Sequence, residues 1–148
     1  MHANRTVDSV IQSQNESDTL AAGQNLAEAL SPGDVVLLFG DLGAGKTAFV
    51  RGLARGLRAS PDDVSSPTFT LIQEYSGGRI TLHHVDLYRV EPREVDDLGL
   101  EELIEQDGIV AIEWADRWPR RPASAVEVSI EDHGGDSRRI TIRGVREP

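Results

Sequence analysis

The chain has 148 residues, of which 39% are hydrophobic and 27% charged, and it contains no cysteine; this composition indicates a globular domain and excludes disulfide scaffolds, thiolate zinc sites and cysteine nucleophiles. Acidic residues outnumber basic residues 25 to 15, giving a formal net charge of −10, whereas a domain that holds nucleic acid by itself usually has the opposite balance. Because the sequence has neither an apolar run long enough to span a bilayer nor a signal-peptide pattern at its start, we expect a cytoplasmic protein.

The first half of the chain predicts two helices around a buried strand. Residues 1–16 are polar and predict a short strand followed by a loop. Ser17 and Asp18 supply N-cap chemistry for a helix whose apolar residues recur at helical spacing. After a Pro-Gly turn, residues 35–39 are all apolar, which predicts a strand buried on both faces of a parallel sheet. Residues 46–57 predict a second helix with one apolar face.

The second half predicts strands, short helices and a terminal hairpin. Strands are expected at 69–75, 79–87 and 108–114, and two short helices within 91–106. Alternating segments within 124–143, joined by a Gly-Gly turn, predict a C-terminal hairpin at the edge of the sheet. We therefore expect one α/β domain over residues 1–148, with three layers and a mainly parallel central sheet.

A phosphate-binding loop follows the buried strand. The segment from Gly40 to Thr47, GDLGAGKT, matches G-x-x-x-x-G-K-[ST] at every fixed position. Its glycines let backbone N–H groups wrap around a phosphate, and the following helix directs its positive dipole end at the same anion. Lys46 can reach the terminal phosphates, and the Thr47 hydroxyl can ligate Mg²⁺. The alternative is a glycine-rich strand–helix turn with an incidental lysine.

Two acidic residues are candidates for the carboxylate that organises the metal in a nucleotide site. Asp86 lies where the apolar run of the strand predicted at 79–87 stops, and Glu113 follows the apolar residues 109–112 of the strand predicted at 108–114. A carboxylate at the carboxyl end of a strand beside the phosphate loop is typical of a metal-organising acid in NTPases. Each also has a plainer interpretation, a turn-forming Asp or a surface Glu, and local sequence does not rank the two.

Several neighbouring residues have alternative interpretations. Trp114 could stack on a purine or fill the core. His83 and His84 are adjacent in a predicted strand, so they point to opposite faces and are unsuited to sharing a metal. Three arginines near Trp118 could form a nucleic-acid patch or, more simply, a solvated loop; they are Arg117, Arg120 and Arg121.

Taken in order, these segments resemble the TsaE (YjeE) family. The resemblance runs from about Leu20 to Trp118, and beyond Arg120 it is limited to strand-like alternation. The matching segments are GDLGAGKT from Gly40, SPTFTL from Ser66, HVDLYR from His84, LGL from Leu98 and IEWA from Ile112. The first, the phosphate loop, is common to NTPases, whereas SPTFTL and HVDLYR are far more specific to the family.

The resemblance implies a bacterial ATPase needed to form N6-threonylcarbamoyladenosine on the tRNA adenosine next to the anticodon. It implies that the protein does not transfer the group itself, but binds a TsaB–TsaD complex and resets it between turnovers by hydrolysing ATP to ADP. Contact with tRNA would then be indirect, through the partners, which suits the acidic charge.

The resemblance also assigns roles to residues. It implies Mg²⁺ ligation by Thr47 and Glu113, with Asp86 as the Walker B acid at the metal. Catalytic roles are implied for Lys46, Asp86 and Glu113. Trp114 would lie beside the nucleotide and Thr19 near its base. The implied nucleotide-binding loop comprises Asp41, Leu42, Gly43, Ala44, Gly45, Lys46, Thr47 and Ala48, and the implied switch loop carries Ser66, Thr68 and Thr70. Many relatives have Thr or Ser at position 48, where this chain has Ala.

Two other functions fit a phosphate loop. A small-molecule kinase would transfer the terminal phosphate to a metabolite, but such kinases usually have an additional lid and acceptor-binding insertion, for which 148 residues leave little room. A non-catalytic module would bind nucleotide without hydrolysing it. Hydrolysis measured with and without partners separates all three.

Overall fold

The computed structural model describes residues 6–41, 45–61 and 72–146. Two single-turn 3₁₀ helices lie at Asp96–Leu98 and Ala115–Arg117. Within the described ranges, no helix is both long and apolar enough to cross a membrane. The strands and α-helices are β1 (Thr6–Ser13), α1 (Glu16–Ala27), β2 (Val35–Phe39), α2 (Lys46–Gly56), β3 (Ser60–Pro61), β4 (Ile72–Ser76), β5 (Thr81–Asp86), α3 (Pro92–Val95), α4 (Leu100–Ile104), β6 (Gly108–Glu113), β7 (Val126–Asp132) and β8 (Arg138–Arg146).

The strands form one mixed sheet. Over the described residues the sheet has eight strands in the order β1-β8-β7-β2-β6-β5-β4-β3. The four central strands, β7, β2, β6 and β5, are parallel to one another. The flanking pairs are antiparallel on both sides. The predicted α/β class is confirmed, and the predicted parallel arrangement describes the centre of the sheet rather than its flanks.

Helices cover both faces of the sheet. On one face, Val36 and Leu38 of β2 pack in a core with residues of α1 and α2. On the other face, Val35 and Leu37 of the same strand pack with residues of α3, α4 and the second 3₁₀ turn. β2 is apolar at every position because both of its faces are buried, and three layers result.

Glycines bring α1 and α2 into close contact. A Cβ at Gly52 of α2 would collide with the carbonyl oxygen of Leu20, and one at Gly23 of α1 would collide with that of Phe49. The helix backbones therefore touch where a side chain would separate them. This contact holds the start of α1 beside the start of α2.

The start of α1 differs from the prediction. The N-cap is Asn15, whose side-chain oxygen accepts a hydrogen bond of 2.8 Å from the Asp18 backbone N–H. Ser17 and Asp18 already belong to the first turn. The predicted short strand in residues 1–16 is β1, which is 8 residues long and leaves only two residues before the helix.

The C-terminal hairpin forms as predicted, but its predicted edge position is wrong. β7 pairs with the central strand β2, and β8 is covered by β1. Val126, Val128 and Ile130 of β7 are buried in the core beneath α1 and α2. The N-terminal strand β1 pairs along the outer side of β8, so β1 forms this edge of the sheet and the hairpin lies inside it.

Candidate functional site

A cleft opens where the central strands end and α2 begins. Its volume is about 370 Å³, within the range of small-molecule sites. Ligands of open parallel sheets bind at this carboxyl edge of the strands. The described residues that line the cleft are Asn15, Glu16, Thr19, Gly45, Lys46, Thr47, Ala48, Arg51, Asp86, Tyr88, Glu113, Trp114, Asp136 and Arg138.

The predicted phosphate loop enters α2 through Gly45, at a position whose backbone conformation favours glycine. Gly45 caps the helix with a φ of 105°, in the left-handed region that favours glycine. The N–H groups of the first turn of α2 lack partners within the helix, so they and the helix dipole suit an anion. Leu42, Gly43 and Ala44 lie outside the described residues.

Lys46 is the buried cation of the cleft. It is 4% exposed, and its ammonium donates hydrogen bonds to the carbonyl oxygens of Gly40 and, at 3.1 Å, Asp41. The same nitrogen lies 4.0 Å from the centre of a Trp114 ring. Burial lowers the pKa of Lys46, and nearby carboxylates, Glu113 foremost, act in the opposite direction. These partners hold the ammonium beside the predicted phosphate loop.

Asp86 and Glu113 are side by side but differ in environment. They are register partners at the ends of β5 and β6. Glu113 is 4% exposed, and its Oε2 lies 2.5 Å from Nε2 of His84. Asp86 is exposed and accepts a 3.0 Å hydrogen bond from the backbone N–H of Tyr88. Both predicted acids therefore line the cleft, one fixed in the interior and one open to solvent.

Trp114 lies on the wall of the cleft. Its backbone is left-handed, with a φ of 59°, which turns the chain sharply after β6. The Tyr88 ring packs against it with centroids 5.0 Å apart and planes 43° apart. Trp118 is 1% exposed in the core beneath α3 and α4. The two tryptophans thus separate into one cleft residue and one core residue.

Thr19 approaches the cleft from α1. Its side chain is buried and shares a 2.7 Å hydrogen bond with the hydroxyl of Ser13 at the end of β1. Thr47 and Ala48 line the cleft from the first turn of α2. Asp41 contributes its carbonyl to Lys46 and is itself exposed. The predicted switch residues Ser66, Thr68 and Thr70 lie outside the described residues.

Sequence reasoning missed several cleft residues. Tyr88 belongs to the HVDLYR segment, and its position two residues after Asp86 could have identified it. The others come from separate elements and carry no local signal; they are Asn15, Glu16, Arg51, Asp136 and Arg138.

The arginines after β6 have structural contacts. Arg117 donates a 3.2 Å hydrogen bond to the carbonyl of Val90, and Arg121 donates a 2.9 Å bond to that of Trp118. Arg120 lies 3.8 Å from a carboxylate oxygen of Asp96. These contacts hold the turn, while Arg120 and Arg121 remain exposed, as in the solvated loop favoured by the sequence.

The oxygen ligands of the cleft suit a divalent cation shared with a phosphate. Two carboxylates, Asp86 and Glu113, and the hydroxyl-bearing Thr47 line it together with Lys46. Mg²⁺ in proteins is usually bound by one or two carboxylates plus phosphate oxygens of the substrate. The residues present therefore fit a Mg²⁺-nucleotide.

Comparisons with known proteins agree on one family. The model of the family described as threonylcarbamoyl adenosine biosynthesis protein TsaE matches residues 13–140. A relative from Nostoc sp., described as tRNA threonylcarbamoyladenosine biosynthesis protein TsaE, is 48% identical over 135 residues, covering 86% of this chain and 82% of the relative. A relative from Treponema pallidum with the same description is 39% identical over 132 residues, covering 88% and 96%. A crystal structure of Bacillus subtilis YdiB matches with a TM-score of 0.75 at 33% identity, covering 97% of this chain and 89% of that one.

Proposed function

The chain belongs to the TsaE family, which takes part in tRNA threonylcarbamoyladenosine biosynthesis, and from this premise we propose that it binds Mg²⁺-ATP in the cleft and hydrolyses it to ADP. The hydrolysis acts on a TsaB–TsaD complex in the cytoplasm. The protein does not transfer the threonylcarbamoyl group itself.

One observation carries the proposal. Lys46 at the start of α2 and Glu113 at the end of β6 come from distant parts of the chain, yet both are 4% exposed and line the same cleft. Burying an ion is costly unless other groups compensate for the lost hydration. A buried cation and a buried carboxylate at a phosphate loop are what binding of phosphate with a divalent cation requires.

Several cleft residues have distinct roles in binding and hydrolysing Mg²⁺-ATP. The N–H groups at the start of α2 bind phosphate oxygens, and Lys46 exchanges its carbonyl partners for the terminal phosphates. Thr47 and Glu113 would hold Mg²⁺, which when bound neutralises charge on the phosphates. Asp86, exposed at the neighbouring strand end, orients the attacking water. Trp114 and Thr19 line the space beside the nucleotide.

The charge of the molecule supports an indirect relation to tRNA. A formal net charge of −10 opposes binding of a polyanion by this chain alone. We assign contact with tRNA to the TsaB–TsaD partners. This chain supplies free energy from ATP hydrolysis.

Phosphate release from ATP tests the proposal. The purified protein should hydrolyse ATP slowly in the presence of Mg²⁺ and faster when TsaB–TsaD is added. Lys46→Ala should lower hydrolysis under both conditions, because it removes the main fixed positive charge at the terminal phosphates. Absence of hydrolysis with and without partners would indicate a binding module instead. Phosphate transfer to a metabolite would indicate a kinase.

A further inference from the structure

His84 makes the closest contact to the buried carboxylate of the cleft. Its Nε2 lies 2.5 Å from Oε2 of Glu113, and both side chains are nearly buried. The two residues belong to neighbouring parallel strands, β5 and β6. His84 lies two positions before Asp86, on the same face of β5, so its ring lies beneath the cleft.

The contact has a defined direction. An ionised carboxylate only accepts hydrogen bonds, so the Nε2–H group of His84 donates to Oε2 of Glu113. Among the described residues, His84 is the hydrogen-bond partner of the Glu113 side chain. One carboxylate oxygen is thereby engaged, and Oε1 remains for another ligand.

Lys46 is the competing partner for Glu113. Glu113 is the strongest electrostatic influence that favours the charged form of Lys46. A carboxylate without its histidine donor would gain by turning toward this ammonium, because a buried charge needs a partner. Such a pair would withdraw a cation ligand and a phosphate ligand at the same time. The hydrogen bond from His84 opposes this collapse.

We propose that His84 is a positioning residue, whose Nε2–H holds the Glu113 carboxylate in the orientation that accepts a nucleotide-bound divalent cation. The proposal rests on the proposed function, since it presumes that Mg²⁺-nucleotide occupies the cleft. Carboxylates that ligate metals are commonly held by a further hydrogen bond, and loss of such a partner costs about 10–100-fold in metal affinity or activity.

The neighbouring histidine provides a matched control. His83 lies on the opposite face of β5, buried, with Nδ1 3.9 Å from Oε1 of Glu74. His83→Phe and His84→Phe each replace an imidazole with a phenyl ring, which has no nitrogen, at adjacent positions of one strand. Only the second removes a donor to Glu113.

The test is calorimetric binding of ADP, first in EDTA and then at rising Mg²⁺ concentration. His84→Phe should still bind ADP in EDTA. Mg²⁺ should raise its affinity for ADP, but the Mg²⁺ concentration that produces half of this increase should be about tenfold or more higher than for the wild type. His84→Gln, whose amide nitrogen can replace Nε2 as donor, should restore most of the wild-type dependence. His83→Phe should match the wild type.

The outcomes separate the two proposals. A wild-type Mg²⁺ dependence in His84→Phe contradicts the positioning role, and so does a His84→Gln variant as impaired as His84→Phe. If His84→Phe does not fold, His84→Asn replaces it in the test. The asparagine amide is too short to reach Glu113, so the same increase in the required Mg²⁺ concentration is expected. If the wild type binds no ADP, or binds it without any influence of Mg²⁺, the proposed function itself is wrong.

Discussion

The two acids of the cleft face different physical conditions. Glu113 is buried and hydrogen-bonded, whereas Asp86 is exposed and bound to a backbone N–H group. We expect Glu113→Ala to raise the Mg²⁺ concentration needed for hydrolysis, since it removes the carboxylate proposed to bind the cation directly. Asp86→Ala should lower turnover while nucleotide binding persists. A Mg²⁺ titration of both variants checks this, and a shift for Asp86→Ala alone would reverse the assignment.

Trp114 should report nucleotide binding through its fluorescence. Its ring lies 4.0 Å from the Lys46 ammonium, so a ligand that draws Lys46 away changes the field at the indole. Trp118 is almost fully buried in the core beneath α3 and α4, away from the cleft lining. Addition of ADP should therefore change the emission of Trp118→Phe but not that of Trp114→Phe. The reverse pattern would place the nucleotide next to Trp118.

The sequence predicts the roles of individual residues where a short local motif determines them. Lys46 and Gly45 were identifiable because the loop motif fixes their spacing. Local pattern did not decide which of Trp114 and Trp118 lies at the cleft, since burial of a side chain depends on tertiary packing; the family resemblance supplied that assignment. The contact of His84 with Glu113 depends on how β5 aligns with β6, and no local pattern encodes that register.

Among the elements, the α1–α2 contact offers a direct test of packing. Gly52→Ala would place a methyl group against the carbonyl oxygen of Leu20, a backbone atom that cannot turn aside. We expect a loss of about 1–3 kcal/mol in the free energy of unfolding. Weaker ADP binding should accompany it, because Thr19 adjoins the displaced residue. Urea denaturation and calorimetry measure the two effects.

Arg55→Ala is the control for this substitution. Arg55 is exposed on the same helix, so its removal should change the free energy of unfolding by no more than about 0.5 kcal/mol. Equal urea midpoints for Gly52→Ala and the wild type would show that the helices tolerate separation.

The loop from Ser66 to Thr70 remains a prediction for coupling, since it lies outside the described residues. A loop that couples nucleotide state to partner binding must make contacts that differ between the ATP and ADP states. Thr68→Ala should therefore leave ADP affinity nearly unchanged. It should reduce the difference in TsaB–TsaD affinity between the ATP-bound and ADP-bound forms. Retention of the full difference would make the loop a simple connector.

Helices and strands were predictable where a single pattern of apolar residues indicated them. The uninterrupted apolar run of β2 and the spacing in α2 identified both elements closely. The start of α1 was misplaced because Asn15, Ser17 and Asp18 all have side chains that can cap a helix. Only backbone geometry, extended at Asn15, decides among them.

For the whole molecule, strand order creates the cleft. β2 lies between β6 and β7, so the ends of β5 and β6 lie beside the start of α2. The sequence indicated each of these strands but not the position of the C-terminal hairpin, because pairing between distant segments leaves no local trace. Asp136 and Arg138 reach the cleft only through this placement.

Repeated tRNA modification tests most directly whether ATP hydrolysis in this cleft drives the partner complex. TsaB–TsaD would be supplied with excess tRNA, threonylcarbamoyl donor and ATP, and the modified adenosine formed per complex would be counted. The wild-type chain should support many rounds, whereas Lys46→Ala, or the wild type with a non-hydrolysable ATP analogue, should leave the complex at a single round. Many rounds with either of these would contradict the account.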